Sequence, residues 1–135
     1  MIVSIRDILT KCRTVAVVGL SDDPKRPSQR VASSLKFWGF RVIPVNPVIT
    51  EAMRERARAS LVELPEPPDL VLVFRRPEFA ADVVRQAAAA RAKAVWFQPG
   101  TSSLEAVAVA ERLDLPCVAG PCIAKEYLRL FGEKL

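Results

Sequence analysis

The chain has 135 residues, 50% hydrophobic and 26% charged, with 20 basic against 15 acidic side chains and a formal charge of +5. That length and mixture read as one globular domain over residues 1–135, able to bury about two thirds of its unfolded surface in a single core. The sequence holds no histidine, which removes the commonest metal ligand and the side chain best suited to proton transfer near neutral pH, and with them many enzyme classes.

No apolar run approaches the roughly 20 residues that span a bilayer, and "MIVSIRDILTKC" carries Arg6 and Asp7 where a signal peptide would be apolar. A cytoplasmic protein with no membrane partner is expected. Cys12, Cys117 and Cys122 are an odd number without zinc spacing and read as reduced thiols. The basic excess favours an anionic partner.

Along the chain, strand-sized apolar runs alternate with helical patterns. Thr14–Gly19 reads as a strand. Ser28–Trp38 reads as a helix capped by Ser28 and ended by a left-handed turn at Gly39, and Arg41–Val45 as a second strand. Residues 48–61 have helical propensity without a clean apolar face and are expected to form a mobile or weakly helical crossover. The Pro-rich "LPEPPD" then leads, extended, into a strand over Asp69–Phe74. A helix over Pro77–Ala92, a strand over Lys93–Phe97, a helix over Ser102–Leu113 capped by Ser102 or Ser103, and a strand over Pro116–Val118 complete the series. The strands lack polar alternation, as parallel strands covered on both faces do. The expected fold is therefore α/β, a doubly wound, Rossmann-like sheet of five parallel strands in a single domain.

In such sheets ligands bind beyond the carboxyl ends of the strands, so the loops "GLSDDPKRPS", "NP", "RRP" and "QPGTSS" are the places to inspect. The first loop has Gly19 for a sharp turn and Lys25 and Arg26 just before a helix N-terminus, a natural seat for a pyrophosphate. Arg26 is the stronger candidate; Lys25, Asp22 and Asp23 read as a solvated loop. Neither G-x-G-x-x-G nor a P-loop is present, and Asn46 stands where an NAD enzyme wants a carboxylate. In "FRRP", either Arg75 or Arg76 is a candidate phosphate ligand, against two solvated arginines. Phe37, Trp38 and Phe40 read as core. The basic residues are spread along the chain, so nucleic acid is disfavoured.

"VAVVGLSDDPKRPSQRVASSLKFWGFRVIPVNP", "LPEPPDLVLVFRRPE" and "AKAVWFQPG" together resemble the CoA-binding domain family, small Rossmann-like proteins similar to the CoA-binding domain of the succinyl-CoA synthetase alpha subunit. The resemblance runs from about Asp7 to Phe131. It implies binding of coenzyme A, or an acyl-CoA, with no attached catalytic module. Carried over by position, Gly19, Leu20, Ser21, Arg26 and Pro27 would hold the phosphates, and Val45, Asn46 and Pro47 would line the adenine side. Phe74, Arg75, Arg76 and Pro77 would complete the pocket, with Gln98, Pro99 and Gly100 facing the first loop across the sheet. Pro99, Thr101 and the stretch "AGPCIAKEYLRL" depart from the usual family pattern. The resemblance places the chemistry of the synthetase on a phosphorylated histidine of another domain, which this chain lacks. The alternatives are an NAD(P)-binding redox enzyme or sensor, or a subunit lending its CoA site to an acyl-CoA ligase partner. Cys122 reads either as a packing residue or as a thiol placed to exchange with that of coenzyme A.

Overall fold

The central strands contain no charged residue and must be covered on both sides, and the computed structural model, which describes residues 2–132, covers them. In chain order the elements are α1 (Ile5–Lys11), β1 (Thr14–Val18), α2 (Pro27–Phe37), β2 (Arg41–Val45), a hairpin of β3 (Glu51–Ala52) and β4 (Glu55–Arg56), and β5 (Leu70–Val73). They continue with α3 (Ala80–Ala89), β6 (Ala94–Phe97), α4 (Leu104–Arg112), β7 (Cys117–Ala119) and α5 (Ile123–Phe131). The main sheet has five strands in the order β2-β1-β5-β6-β7, all parallel. This is the doubly wound α/β fold expected.

Alternate residues of the strands feed two cores. Val15, Val17, Leu70, Leu72 and Trp96 pack with Ile8 and Leu9 of α1, Leu35 of α2 and Ile123 of α5. Ala16, Val18, Val71, Val73 and Phe97 pack with Val84 of α3 and Val109 of α4. Because β1 lies between β2 and β5, the chain leaves β1 toward one edge and returns past it to β5. The connections after β1 and β5 therefore diverge to opposite faces and open a crevice between them.

The helices follow their local chemistry. Ser4 Oγ accepts from the Asp7 amide while the Asp7 carboxylate accepts from the Val3 amide, a reciprocal cap that starts the α1 helix. Helix α2 ends as expected: Gly39 has φ +99°, the Phe40 amide donates to the Leu35 carbonyl, and the Gly39 amide donates to the Lys36 carbonyl. Ser103 caps α4 by accepting from the Ala106 amide. The region after Asp69–Phe74 differs in detail. Pro77–Phe79 is a tight 3-10 turn that hands over to an α-helix ending at Ala89, rather than one helix to Ala92.

Residues 48–61 are a correction. They form the β3–β4 hairpin, followed by a bridge between Val45 and Arg58, rather than a helical crossover, and a short 3-10 turn (Leu61–Glu63) starts only at their end. The sheet edge explains this: the Arg58 amide donates to the Pro44 carbonyl, and the Arg58 carbonyl accepts from the Asn46 amide. The outer edge of β2 satisfies backbone groups that a helix lacking an apolar face could bury nowhere. Phe37 is a second correction, since its ring is 73% exposed while Phe40 is buried and Trp38 stacks on Tyr127 at 4.1 Å.

At the amino ends of the strands Asp69 joins three of them. Its carboxylate accepts from the Arg13 amide at 2.7 Å and the Thr14 amide at 3.2 Å, its own amide donates to Thr14 Oγ1, and Lys93 Nζ lies 3.3 Å away. Partial burial works against its ionisation, but the two amide hydrogen bonds and Lys93 outweigh it and hold the carboxyl below its ordinary 3.8. Burial above all, with the Asp69 charge behind it, pushes the neighbouring Cys12 thiol up to about 11, which suits a packing residue.

Asp69→Ala is expected to cost about 1–3 kcal/mol in urea unfolding at pH 7, because two amides lose their acceptor. A depressed carboxyl stabilises the fold above its unfolded pKa and loses that contribution as pH falls through its folded one. The gap between wild type and variant should therefore close as pH is lowered below 3.8. A gap that stays constant to pH 2 would contradict the clamp.

Candidate functional site

Strand β1 ends in a turn that only a residue without a Cβ fits easily. Gly19 has φ +89°, its amide donates to the Val45 carbonyl at 2.8 Å, and a Cβ placed on it would lie 3.0 Å from the Phe74 oxygen and 3.1 Å from the Phe74 carbonyl carbon. The loops after β1 and β5 thus touch at the mouth of the crevice. From there the chain turns outward through Ser21 to Arg26.

That loop is held by its own short side chains. The Ser21 amide donates to Ser28 Oγ at 3.0 Å, Ser21 Oγ accepts from the Asp23 amide, and Asp23 Oδ1 accepts from the Lys25 amide. Ser28 is therefore not the helix cap that its position after Pro27 indicates. It is buried inside the first turn of α2 and pins the loop, while Arg26 occupies the N-cap with no side-chain cap bond and Pro27 follows at the first helical position. The first turn of α2 consequently has no side chain closing it.

Asn46 braces the same loop from β2. Its Nδ2 donates to the Leu20 carbonyl at 3.1 Å and its Oδ1 accepts from the Val48 amide at 3.0 Å. One amide proton and one lone pair remain for another partner. Leu20 is fully buried, with its carbonyl taken by Asn46, so it anchors the loop and lines neither cleft.

Two adjoining clefts open here, sharing Gly19, Asn46 and Val48. The larger, about 440 Å³, is walled by Ser21, Asp22, Arg26, Pro27 and Ser28 on the β1 side and by Ile49 and Phe74 opposite. The smaller, about 190 Å³, has Val18, Val45 and Val83 at its base and Pro47, Ser60, Arg75 and Gln86 around it. Arg75 and Arg76 part company. Arg75 lines the smaller cleft and its guanidinium lies 4.1 Å over the Phe79 ring, whereas Arg76 pairs with Glu78 at 3.4 Å and lines neither cleft.

The remaining sequence candidates stand apart from both clefts. Pro77 opens the 3-10 turn, and Pro99 and Gly100 are exposed after β6. Gln98 is buried and turned to α5: its Oε1 accepts from the Ile123 amide at 2.8 Å, and its Nε2 donates to Cys122 Sγ at 3.4 Å. Cys122 itself sits at the N-cap of α5, outside both clefts. Sequence reasoning missed Asp22, Ser28, Val48, Ile49, Ser60 and Gln86 as lining residues. Val48, Ile49 and Ser60 lie in the region expected to be weakly helical, so no pattern marked them.

A profile of the CoA-binding domain family matches residues 13–127. The Bacillus subtilis (strain 168) protein YneT is 37% identical over 119 residues, 88% of each chain. A solved protein from Pyrococcus horikoshii OT3 is 36% identical with a TM-score of 0.92, covering 95% of this chain and 90% of that one. An acetyl-coenzyme A synthetase from Ca. Korarchaeum cryptofilum shares the fold alone, at 19% identity and a TM-score of 0.73, over 87% of this chain and 28% of its own. With its parallel sheet, its crevice at the β1–β5 divergence and a family match over most of its length, the chain belongs to the CoA-binding domain family.

Proposed function

We propose that the paired clefts bind coenzyme A or an acyl-CoA, and that the protein acts as a binding module without catalytic machinery of its own. The observation that carries this reading is the uncapped N-terminus of α2 standing beside the Gly19 turn, with Arg26 at the same wall. The amides of a helix's first turn and its dipole favour a pyrophosphate, and an arginine adds a planar fork of donors. Arg26 makes no ion pair among the described residues, so its charge is free for a ligand. Asp22 is the one carboxylate on that wall and is exposed to water, which screens it.

The adenosine end then belongs to the smaller cleft. Its valine base suits the face of a purine, and Asn46 and Gln86 offer amide groups to its edge. Gly19, Ser21, Arg26, Pro27 and Phe74 thus serve the phosphates, while Val45, Asn46 and Pro47 serve the nucleoside; Arg75 lines the same cleft. Gln98 acts through α5, whose first amide it holds, and is a positioning residue. Leu20 positions as well. The family match and the basic excess support the same ligand class.

Isothermal titration of ligand-free protein with CoA, NAD and ATP in parallel tests the reading. CoA is expected to bind most tightly, and Arg26→Ala to weaken it about tenfold, as loss of one exposed charge-assisted contact would. Tighter binding of NAD would restore the redox alternative, and no heat from CoA would refute the proposal.

A further inference from the structure

We infer that Arg75 reads a phosphate monoester on the ligand's ribose, and so makes the protein select CoA over its dephosphorylated form. The inference rests on the coenzyme A reading and assigns the specificity of that site. It starts from what the end of β2 lacks. A nucleotide-binding sheet that selects an unphosphorylated ribose places a carboxylate there, which hydrogen-bonds the hydroxyls and repels a phosphate. Here the position is Asn46, which is neutral and partly occupied in holding the Leu20 carbonyl.

The cleft beside Asn46 contains one ionisable side chain among the described residues, Arg75. Among the described residues Arg75 makes no ion pair, while its neighbour Arg76 is paired to Glu78 at 3.4 Å. Nor is it loosely placed. Its guanidinium carbon lies 4.1 Å from the centre of the Phe79 ring, and its Cγ lies 3.3 Å from where a Gly19 Cβ would be, so ring and turn bracket the side chain. A planar cation held by a ring, without an ion pair among the described residues and on a cleft with an apolar base and no carboxylate, attracts a dianionic monoester. The cleft adjoins the larger one and shares Gly19, Asn46 and Val48 with it, while Arg26 lines only the larger and Arg75 only the smaller. Two phosphate groups of one nucleotide can thus be read separately, the pyrophosphate by Arg26 and the ribose phosphate by Arg75.

Titration of CoA against 3′-dephospho-CoA, and of NADP against NAD, into wild type, Arg75→Gln and Arg76→Gln decides the matter. Arg75→Gln keeps the Cγ that packs at Gly19 and removes the charge, and equal melting temperatures check that it folds. Wild type is expected to prefer CoA over dephospho-CoA by tenfold or more. Arg75→Gln should reduce the ratio to within twofold by weakening CoA while leaving dephospho-CoA unchanged, and Arg76→Gln should keep the wild-type ratio. Equal binding of CoA and dephospho-CoA by wild type, or a preference that survives in Arg75→Gln, would overturn the inference while coenzyme A binding stands. A preference for NADP over NAD that depends on Arg75, with CoA silent, would keep the ribose-phosphate reader and remove coenzyme A. Silence from all four ligands would overturn both.

Discussion

The site depends on one close passage of backbone. Gly19 runs so near the Phe74 carbonyl that a methyl group at its Cα would meet the oxygen at 3.0 Å, and it does so at φ +89°. Any other residue pays twice, once in conformational strain and once in contact. That passage brings the β1 loop against the β5 loop at the point where the sheet's connections diverge, and so divides the crevice into two clefts with a shared wall. Arg75 follows Phe74 directly, so the same contact sets where its side chain begins.

Around this point polar side chains are spent on shaping the loop rather than on facing outward. Ser28 and Asn46 each satisfy a backbone group of residues 20–21. Asp23 turns the segment between them. The consequence is a stretch from Gly19 to Arg26 that is ordered by its own hydrogen bonds, with little conformational entropy left to lose when an anion arrives. Charge is distributed in a similar way: Arg26 and Arg75 each line one cleft and make no ion pair among the described residues, whereas Arg76 pairs with Glu78 and lines neither.

Much of this was legible in the sequence, for identifiable reasons. Runs such as "VAVV" and "LVLV" announce two-sided burial, and Gly39, Ser103 and Pro77 mark helix boundaries whose chemistry is local. The first loop stood out because Gly19, Arg26 and a helix start fall within a few residues. What was not legible is non-local. Ser28 resembles a cap until the Ser21 amide, seven residues away, claims its oxygen. The hairpin after β2 exists because the outer edge of β2 accepts Arg58, which no periodicity within residues 48–61 could reveal. Arg75 and Arg76 are indistinguishable in "FRRP" and both lie over the Phe79 ring; the Glu78 pairing of Arg76 and the cleft that Arg75 lines separate their fates. Gln98 looked like a ligand-facing residue after a strand, yet its side chain fastens α5.

The measurement that bears most directly on the account is a titration of 15N-labelled protein with CoA, followed by amide chemical shifts. The account predicts that the Gly19, Ser21 and Ser28 amides move first and furthest, with Asn46 and its side-chain amide following, because the pyrophosphate settles at the mouth of α2. Shifts confined instead to the apolar groove where Ile2, Ile5 and Ile8 meet Pro116 and Val118, with the Gly19 turn unmoved, would contradict it.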